Sequence, residues 1–578
     1  MTPDLVEAAV RAGRSFAGES LGPLDLSGRD LSGADFSRAV LSSVTFTGCN
    51  LTRAIFDGAQ ALRLRAKGAD LTGASFKGTT ALQADLEGAR LTGADLTGAR
   101  LAASNLAGAD FTGAVIKGAL LREVVLTGAR LGGQTIEGSD LGRARLEGAD
   151  LSGATLRQVM LASANLTNAR LANARLNETM LSRADLRGCD FTGSQLVGVM
   201  LADCDLRGAA LPKRGERVLF KGANLGERVD WRGAVFLLSD LGDLDLSGAD
   251  LSGADLTSST LAGSDLRGAN LEGAKLERVS LAGCDLRGAR FAGARLRLAI
   301  LNGANLAGVD LAGQTIELVS MKGASLVGAS LEGARLERCA LDRADLSSAD
   351  LTRASLKSSV LRDAVVDGLI LDRTILSGVN LSGVDLHRLP LAGLTLQRCF
   401  FRGSSLAGMS FRGCDLTESS FGGADLRRAD FEGATLARAN FKDAHLELAN
   451  LSAVQAKGAF FGGATLASAK LVQAKLRNAT FSEADLTFAV LGGADLRESV
   501  LVRAKAKGAS FVGARLGYAD LSYADVSEAD LRDAELAFAN LHAIADRGAL
   551  WSGAALASAR RTDLDRLEAD GWMPPAGP

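Results

Sequence analysis

Between residues 244 and 271 the chain reads LDLSGADLSGADLTSSTLAGSDLRGANL, and leucine returns every five residues at Leu246, Leu251, Leu256, Leu261, Leu266 and Leu271. Ala249, Ala254 and Ala269 stand two places before such a leucine, with Asp or Asn in between. On an α-helix, steps of five rotate by about 140°, so these leucines would smear around every face. On a flat strand they would alternate between the two faces. The pattern buries its leucines only if the chain turns a corner once per pentad and winds around an axis. It predicts a solenoid.

With the leucine taken as the centre of each pentad, the phase holds from Leu26 to Leu211 and again from Trp231 to Leu556. Between them it slips: Leu211 to Phe220 is nine residues, Phe220 to Leu225 five, and Leu225 to Trp231 six. The intervening text is locally basic, with Lys213, Arg214, Arg217, Lys221 and Arg228 set against Glu216, Glu227 and Asp230. It reads either as a distorted coil with a bulged corner or as a bulge that binds a partner.

The residues just before the centres report the length of a turn. Met160, Met180 and Met200 all hold that place, while Arg170 and Asp190, halfway between, are polar. A 20-residue coil of four pentads follows. At this phase one exterior face carries Asp and Asn, as in Asp25, Asp85, Asn105, Asn165, Asp185, Asp205, Asp265 and Asp425. Another is studded with apolar residues, including Val40, Leu120, the three methionines, Ile300, Phe400 and Phe460. Phe401, Phe421, Phe441, Phe461 and Phe481 predict a stack of large centres in one corner of five successive coils. Ala61, Ala66, Ala81, Ala456, Ala506 and Asp546 break the pattern by occupying centres. At Ala61 and Ala81, each followed by a leucine, the expectation is a void or a local shift that turns Leu62 and Leu82 inward.

Both ends leave the period. Thr2, Pro3 and Gly13 outline a short helix with Leu5, Val6 and Val10 on its apolar side. Near the other end, Thr562 as N-cap, Asp565, Leu564, Leu567 and Gly571 outline a second. Each is expected to cap the open end of a solenoid, whose backbone would otherwise be unpaired. Tyr518, Tyr523, Phe538 and Trp572 form a candidate aromatic patch that either seats the C-terminal helix or makes a dimer contact. The expected organisation is 1–20 an N-terminal helical cap, 21–211 a repeat array, 212–230 an irregular coil with a basic bulge, 231–558 a second array, and 559–578 a C-terminal capping helix and tail.

Composition changes little. Lys plus Arg number 65 and Asp plus Glu 67, so the net charge of −2 argues against a nucleic-acid binder. A 47% apolar content, regularly placed, excludes disorder despite 68 glycines. No Sec-type signal and no apolar run of about 20 residues is seen, so the expected location is the cytoplasm, with no membrane contact and with export by a dedicated secretion system left open. All seven cysteines fall two places before a centre, where a small apolar residue belongs. His387, His445 and His542 sit at outward positions without spaced partners, and no CxxC, HExxH or P-loop is present. The reading is of a chain with no catalytic residues, no metal and no cofactor.

Repeats such as ADLSG, ANLEG and ADFEG resemble the pentapeptide-repeat superfamily, with its A(D/N)LXX consensus. The resemblance implies an all-β fold: a right-handed quadrilateral parallel β-helix of roughly 26 coils, on the order of 125 Å long at the usual strand spacing. The regular fold, the missing catalytic constellations and the apolar exterior stripe together lead to the expectation of a non-enzymatic bacterial scaffold that binds an unidentified protein partner, and the resemblance adds a homodimer through the C-terminal end, as relatives form. Two other roles in the superfamily are alternatives: a secretion-system effector or accessory protein, and a DNA-mimicking modulator of DNA gyrase or topoisomerase. The candidate partner-binding residues are Met160, Met180 and Met200 beside Phe220, with Lys213, Arg214 and Arg217 of the slip. For the methionines the bland alternative is surface tolerance of an apolar side chain.

Overall fold

A leucine that must face inward every fifth residue forces one corner per pentad, and the backbone needs a left-handed residue to make it. In the computed structural model, which describes residues 2–571, Gly248 and Gly253 supply that residue with φ of +63° and +65°. The corner is closed by the Asp before each centre: Asp245 Oδ1 accepts the Ser247 N–H at 3.0 Å, and Asp250 accepts from Ser252 in the same way. Between corners the chain pairs in parallel with residues 20 away, as in Asp245 with Asp265, Asp250 with Asn270 and Asp255 with Lys275. Leu251 N–H donates to Asn270 O at 2.8 Å. Four such ladders per turn make a parallel β-solenoid with the 20-residue coil that the methionine spacing predicts.

The chain divides into two compact units, Met1–Ile300 and Leu301–Pro578. In the first, helix α1 (Pro3–Arg11) precedes a parallel sheet of short strands in chain order: β1 (Ile116–Lys117), β2 (Thr135–Glu137), β3 (Thr155–Arg157), β4 (Arg175–Asn177), β5 (Gln195–Val197), β6 (Arg214–Glu216) and β7 (Val235–Leu237). Winding begins before Leu26. Phe16 is fully buried, its N–H donates to Asp35 O at 2.8 Å, and Ser20 pairs with Val40. Val6 of α1 is buried but Leu5 is 61% exposed, so the helix offers a narrower apolar side than expected. Its tie to the coils is also ionic, through Glu7 and Asp4 to Arg29.

The second unit carries the parallel sheet β8 (Thr315–Glu317), β9 (Arg335–Glu337), β10 (Ser355–Lys357), β11 (Ile375–Ser377) and β12 (Thr395–Gln397), then helix α2 (Leu564–Gly571). Its core contains the expected stack. Successive rings from Phe401 to Phe481 lie 4.7–4.9 Å apart, with interplanar angles of 3–5°. The winding is disturbed near Pro390, a place with no break in the pentad phase. The ladders through Val365 and Ile370 do not continue to Asp385 and Pro390 among the described residues. Proline has no N–H to give a rung, and Leu369, Leu389 and Leu394 hold inward places that are usually alanine.

The alanine centres are absorbed without a shift. Ala61 and Ala81 are buried, while Leu62 and Leu82 remain 45% and 36% exposed. The preceding centres Phe56 and Phe76, stacked at 4.8 Å, bring volume that the alanines lack. Asp546 sits where the last coil has no neighbour, and it is exposed.

Candidate functional site

The exterior apolar face is built as the spacing predicts. Met160 pairs with Met180 and Met180 with Met200, so their side chains stand in register one coil apart. They are 41%, 41% and 40% exposed. The ladder is bounded on one side by Asp140, which Arg122 holds at 3.3 Å. Flanking corners carry both signs of charge, with Gln158 bonded to Glu178 at 3.0 Å and Arg183 facing Asp203 at 4.0 Å. An apolar strip with a polar, nearly neutral rim has the anatomy of a protein interface.

Phe220 does not belong to this surface. Its nine-residue distance from Leu211 puts it at a centre, fully buried, with its N–H donating to Asp240 O at 2.7 Å. Leu219 continues the methionine ladder instead, paired with Met200. Phe220 packs inside against Trp231 and Phe236, with centroids 5.5 and 5.4 Å away. The three basic candidates also separate. Arg217 sits at the corner before Leu219 and lies 3.8 Å from Glu216. Lys213, just before β6, and Arg214, the first residue of β6, stand in the wall of a cavity of about 640 Å³ opened by the slip.

At the C-terminal end the aromatic residues divide. Tyr518 and Phe538 stack at 5.0 Å and stay 62% and 47% exposed, so α2 does not cover them. Tyr523 bonds through its hydroxyl to Asp570 of α2. Trp572 lies outside the described residues. His542 is not outward. It is 2% exposed, its Nε2 lies 3.2 Å from the Tyr523 hydroxyl, and its Nδ1 accepts the Asp563 N–H at 3.2 Å. Asp563, rather than Thr562, caps α2, with Oδ1 accepting from Asp565 and Arg566 N–H. Leu564 is 74% exposed, so polar bonds and not an apolar face seat this helix. The signal for His542 was its place one residue after Leu541, at the last fully flanked coil.

The remaining candidate chemistry is structural. Every cysteine is free and buried. Its thiol donates to the carbonyl 23 residues earlier, as from Cys49 to Leu26 and from Cys204 to Leu181, both at 2.9 Å. Burial pushes Cys189, Cys204 and Cys399 up to about 12, so none offers a thiolate. No group of His, Cys, Asp or Glu suited to a metal ion occurs among the described residues. No helix is long and apolar enough to cross a membrane.

The Asp face is neutralised at some rungs, while at others Asp25, Asp245 and Asp345 bond to a serine two residues on. Asp185, Asp205, Asp285 and Asp425 pair at 2.6 Å with Arg187, Arg207, Arg287 and Arg427, two residues on. The guanidinium hydrogen bond, first among the causes, holds each carboxyl below its ordinary range. A carboxyl that titrates lower folded than unfolded stabilises fully above its unfolded value of about 4, and loses that stabilisation as pH falls through the folded value. The melting temperature should therefore be flat from about pH 7 to 5 and fall below about pH 4. Each exposed pair contributes little, and the repetition makes the sum visible. Melts followed by circular dichroism would contradict this if the decline were already complete at about pH 5.

The sequence profile of pentapeptide repeats, in its eight-copy form, matches successive segments from residues 25–58 to residues 509–543, together most of the chain. No curated protein matches it. Among solved structures the chain is similar to HetL, a pentapeptide repeat protein involved in heterocyst differentiation regulation from the cyanobacterium Nostoc. There the identity is 27%, covering 52% of this chain and 97% of that one, with a TM-score of 0.19. It is similar to trypsin-treated QnrB1, a plasmid-mediated fluoroquinolone resistance protein, at 21% identity over 40% and 90% of the two chains, TM-score 0.18. A pentapeptide repeat protein of the Arabidopsis thaliana thylakoid lumen matches at 22% over 29% and 67%, TM-score 0.05.

Proposed function

The chain belongs to the pentapeptide-repeat family, and on that premise we propose that it is a non-enzymatic solenoid scaffold that binds a protein partner along the Met160–Met180–Met200 ladder. The observation that carries this reading is the alignment of three half-exposed methionines in adjacent coils, extended by Leu219. Unbranched thioether side chains adapt to an opposing apolar surface. The paired backbone beneath holds them in register, so little ordering cost falls on binding. The partner surface that fits is an apolar strip about three coils long with polar margins. The Asp–Arg pairing speaks against a duplex mimic, because guanidiniums interrupt the row of carboxylates that would imitate phosphates, at Asp185, Asp205, Asp285 and Asp425.

The triple substitution M160E/M180E/M200E tests the proposal. Crosslinking capture from the native cell should retain a discrete partner with the wild type and lose it with the variant. Melting temperature should change by only a few degrees, since the altered side chains leave the core. Capture of the same proteins by both forms would sink the proposal.

A further inference from the structure

The phase slip leaves a hole in the wall of the first unit. In a regular coil the N–H two residues after a centre donates to the coil below, as Gly188 N–H does to Arg207 O at 3.1 Å. At the slip this fails on one face. Ala210 pairs upward with Asp190, and Asp230 pairs downward with Asp250, but Ala210 and Asp230 do not pair with each other. The N–H groups of Gly193, Gly208, Leu211 and Asp230 consequently donate to no acceptor among the described residues. All four residues line the cavity of about 640 Å³, a volume typical of small-molecule sites.

The side chains in its wall lean the same way. Ser194 is 2% exposed and its Oγ has no partner, whereas Ser264 at the same inward place bonds to Leu241 O at 2.9 Å. Arg214 and Arg228 line the cavity and enter no ion pair among the described residues. Of the two acidic groups present, Asp230 is taken up by Arg232 at 3.0 Å and Lys213 at 3.2 Å. Glu227 alone opposes two free guanidiniums, so the cavity is one positive charge in excess. Leu211, Leu225 and Val229 supply an apolar portion of the wall.

Unpaired backbone N–H groups, a buried hydroxyl and free guanidiniums around one cavity are donors in want of oxygen acceptors. We propose that this cavity binds a small organic oxyanion, a phosphate or carboxylate group carried on an apolar body, with Arg214 and Arg228 as its principal charged contacts. The site is independent of the methionine ladder, and it makes the irregular coil a ligand pocket within the scaffold.

The test is calorimetric titration of the full-length protein with phenyl phosphate, benzoate and inorganic phosphate as probes. Phenyl phosphate or benzoate should bind at a single site with a dissociation constant below about 1 mM, and whichever binds tighter identifies the headgroup. Inorganic phosphate, lacking the apolar body, should bind more weakly than phenyl phosphate. Arg214→Gln with Arg228→Gln should weaken binding by roughly tenfold or more, and Glu227→Gln should tighten it severalfold, while M160E/M180E/M200E leaves it unchanged. A circular dichroism melt like that of wild type establishes that each variant is folded. No heat with any probe, or equal binding by wild type and a folded double variant, overturns the proposal. Equal binding of inorganic and phenyl phosphate overturns the apolar half of the site.

Discussion

Replacing Phe441 with alanine should cost about 3–5 kcal/mol, the range for emptying a buried aromatic site. The ring is fully buried, with Phe421 and Phe461 each 4.9 Å away and parallel to within 3°, and Phe431 edge-on at 5.8 Å. A compact core could collapse around the loss. Here the coils above and below are held by their own backbone rungs at the inter-coil step, so the void cannot close without breaking hydrogen bonds. Stability in such an array is a sum over neighbouring coils, so the lesion should stay local. The expected record is a separate, earlier melting step, together with loss of amide protection confined to coils around residues 421–461. A uniform loss of protection across both units, or a cost under about 1 kcal/mol, would contradict it.

The second large effect runs against the pattern. Gly215 pairs with Leu196 above and Phe236 below, so it stands at a centre where the repeat calls for leucine. Restoring that leucine would look like a repair. A Cβ on Gly215 would meet Val218 Cγ2 at 2.6 Å and Phe236 Cδ1 at 3.0 Å. The volume is already filled by a neighbour displaced in the slip and by a ring from the next coil. Gly215→Leu should therefore destabilise by about 1–3 kcal/mol or more, as overpacked cores do, and Gly215→Ala by less. Denaturant midpoints for the two variants decide the matter, and a rise in stability with leucine would show that the repeat rule overrides the local packing.

These two sites mark where a sequence reading of a repeat works and where it stops. Phe441 was legible because each pentad sees neighbours of its own kind. Its corner, its depth and its stacking follow from position modulo 20, and the same arithmetic places Met160, Met180 and Met200 outside and the cysteines inside. Phe220 shows the limit, since a phase slip can be counted but not resolved. Only the pairing of Leu219 with Met200 shows which residue took the outward place. His542 looked outward by position, but the end of the array lets α2 fold back over it. The interruption at Pro390 came from the structure, where the ladders through Val365 and Ile370 stop. Beside it Leu369, Leu389 and Leu394 are buried at places that alanine usually holds.

The solenoid, its 20-residue coil, the inward leucines and alanines, the phenylalanine stack and the outward methionine ladder are all written in the pentad pattern. Each of these repeats, and a repeated environment is set by short-range pattern. The tertiary structure alone decided the buried place of Phe220, the crowded glycine at a leucine position, the polar seat of α2 and the donor-lined cavity between Gly193 and Asp230. Each of those arises where a displaced segment must find new partners in neighbouring coils, and such partners are fixed by packing and unpaired backbone that no period encodes.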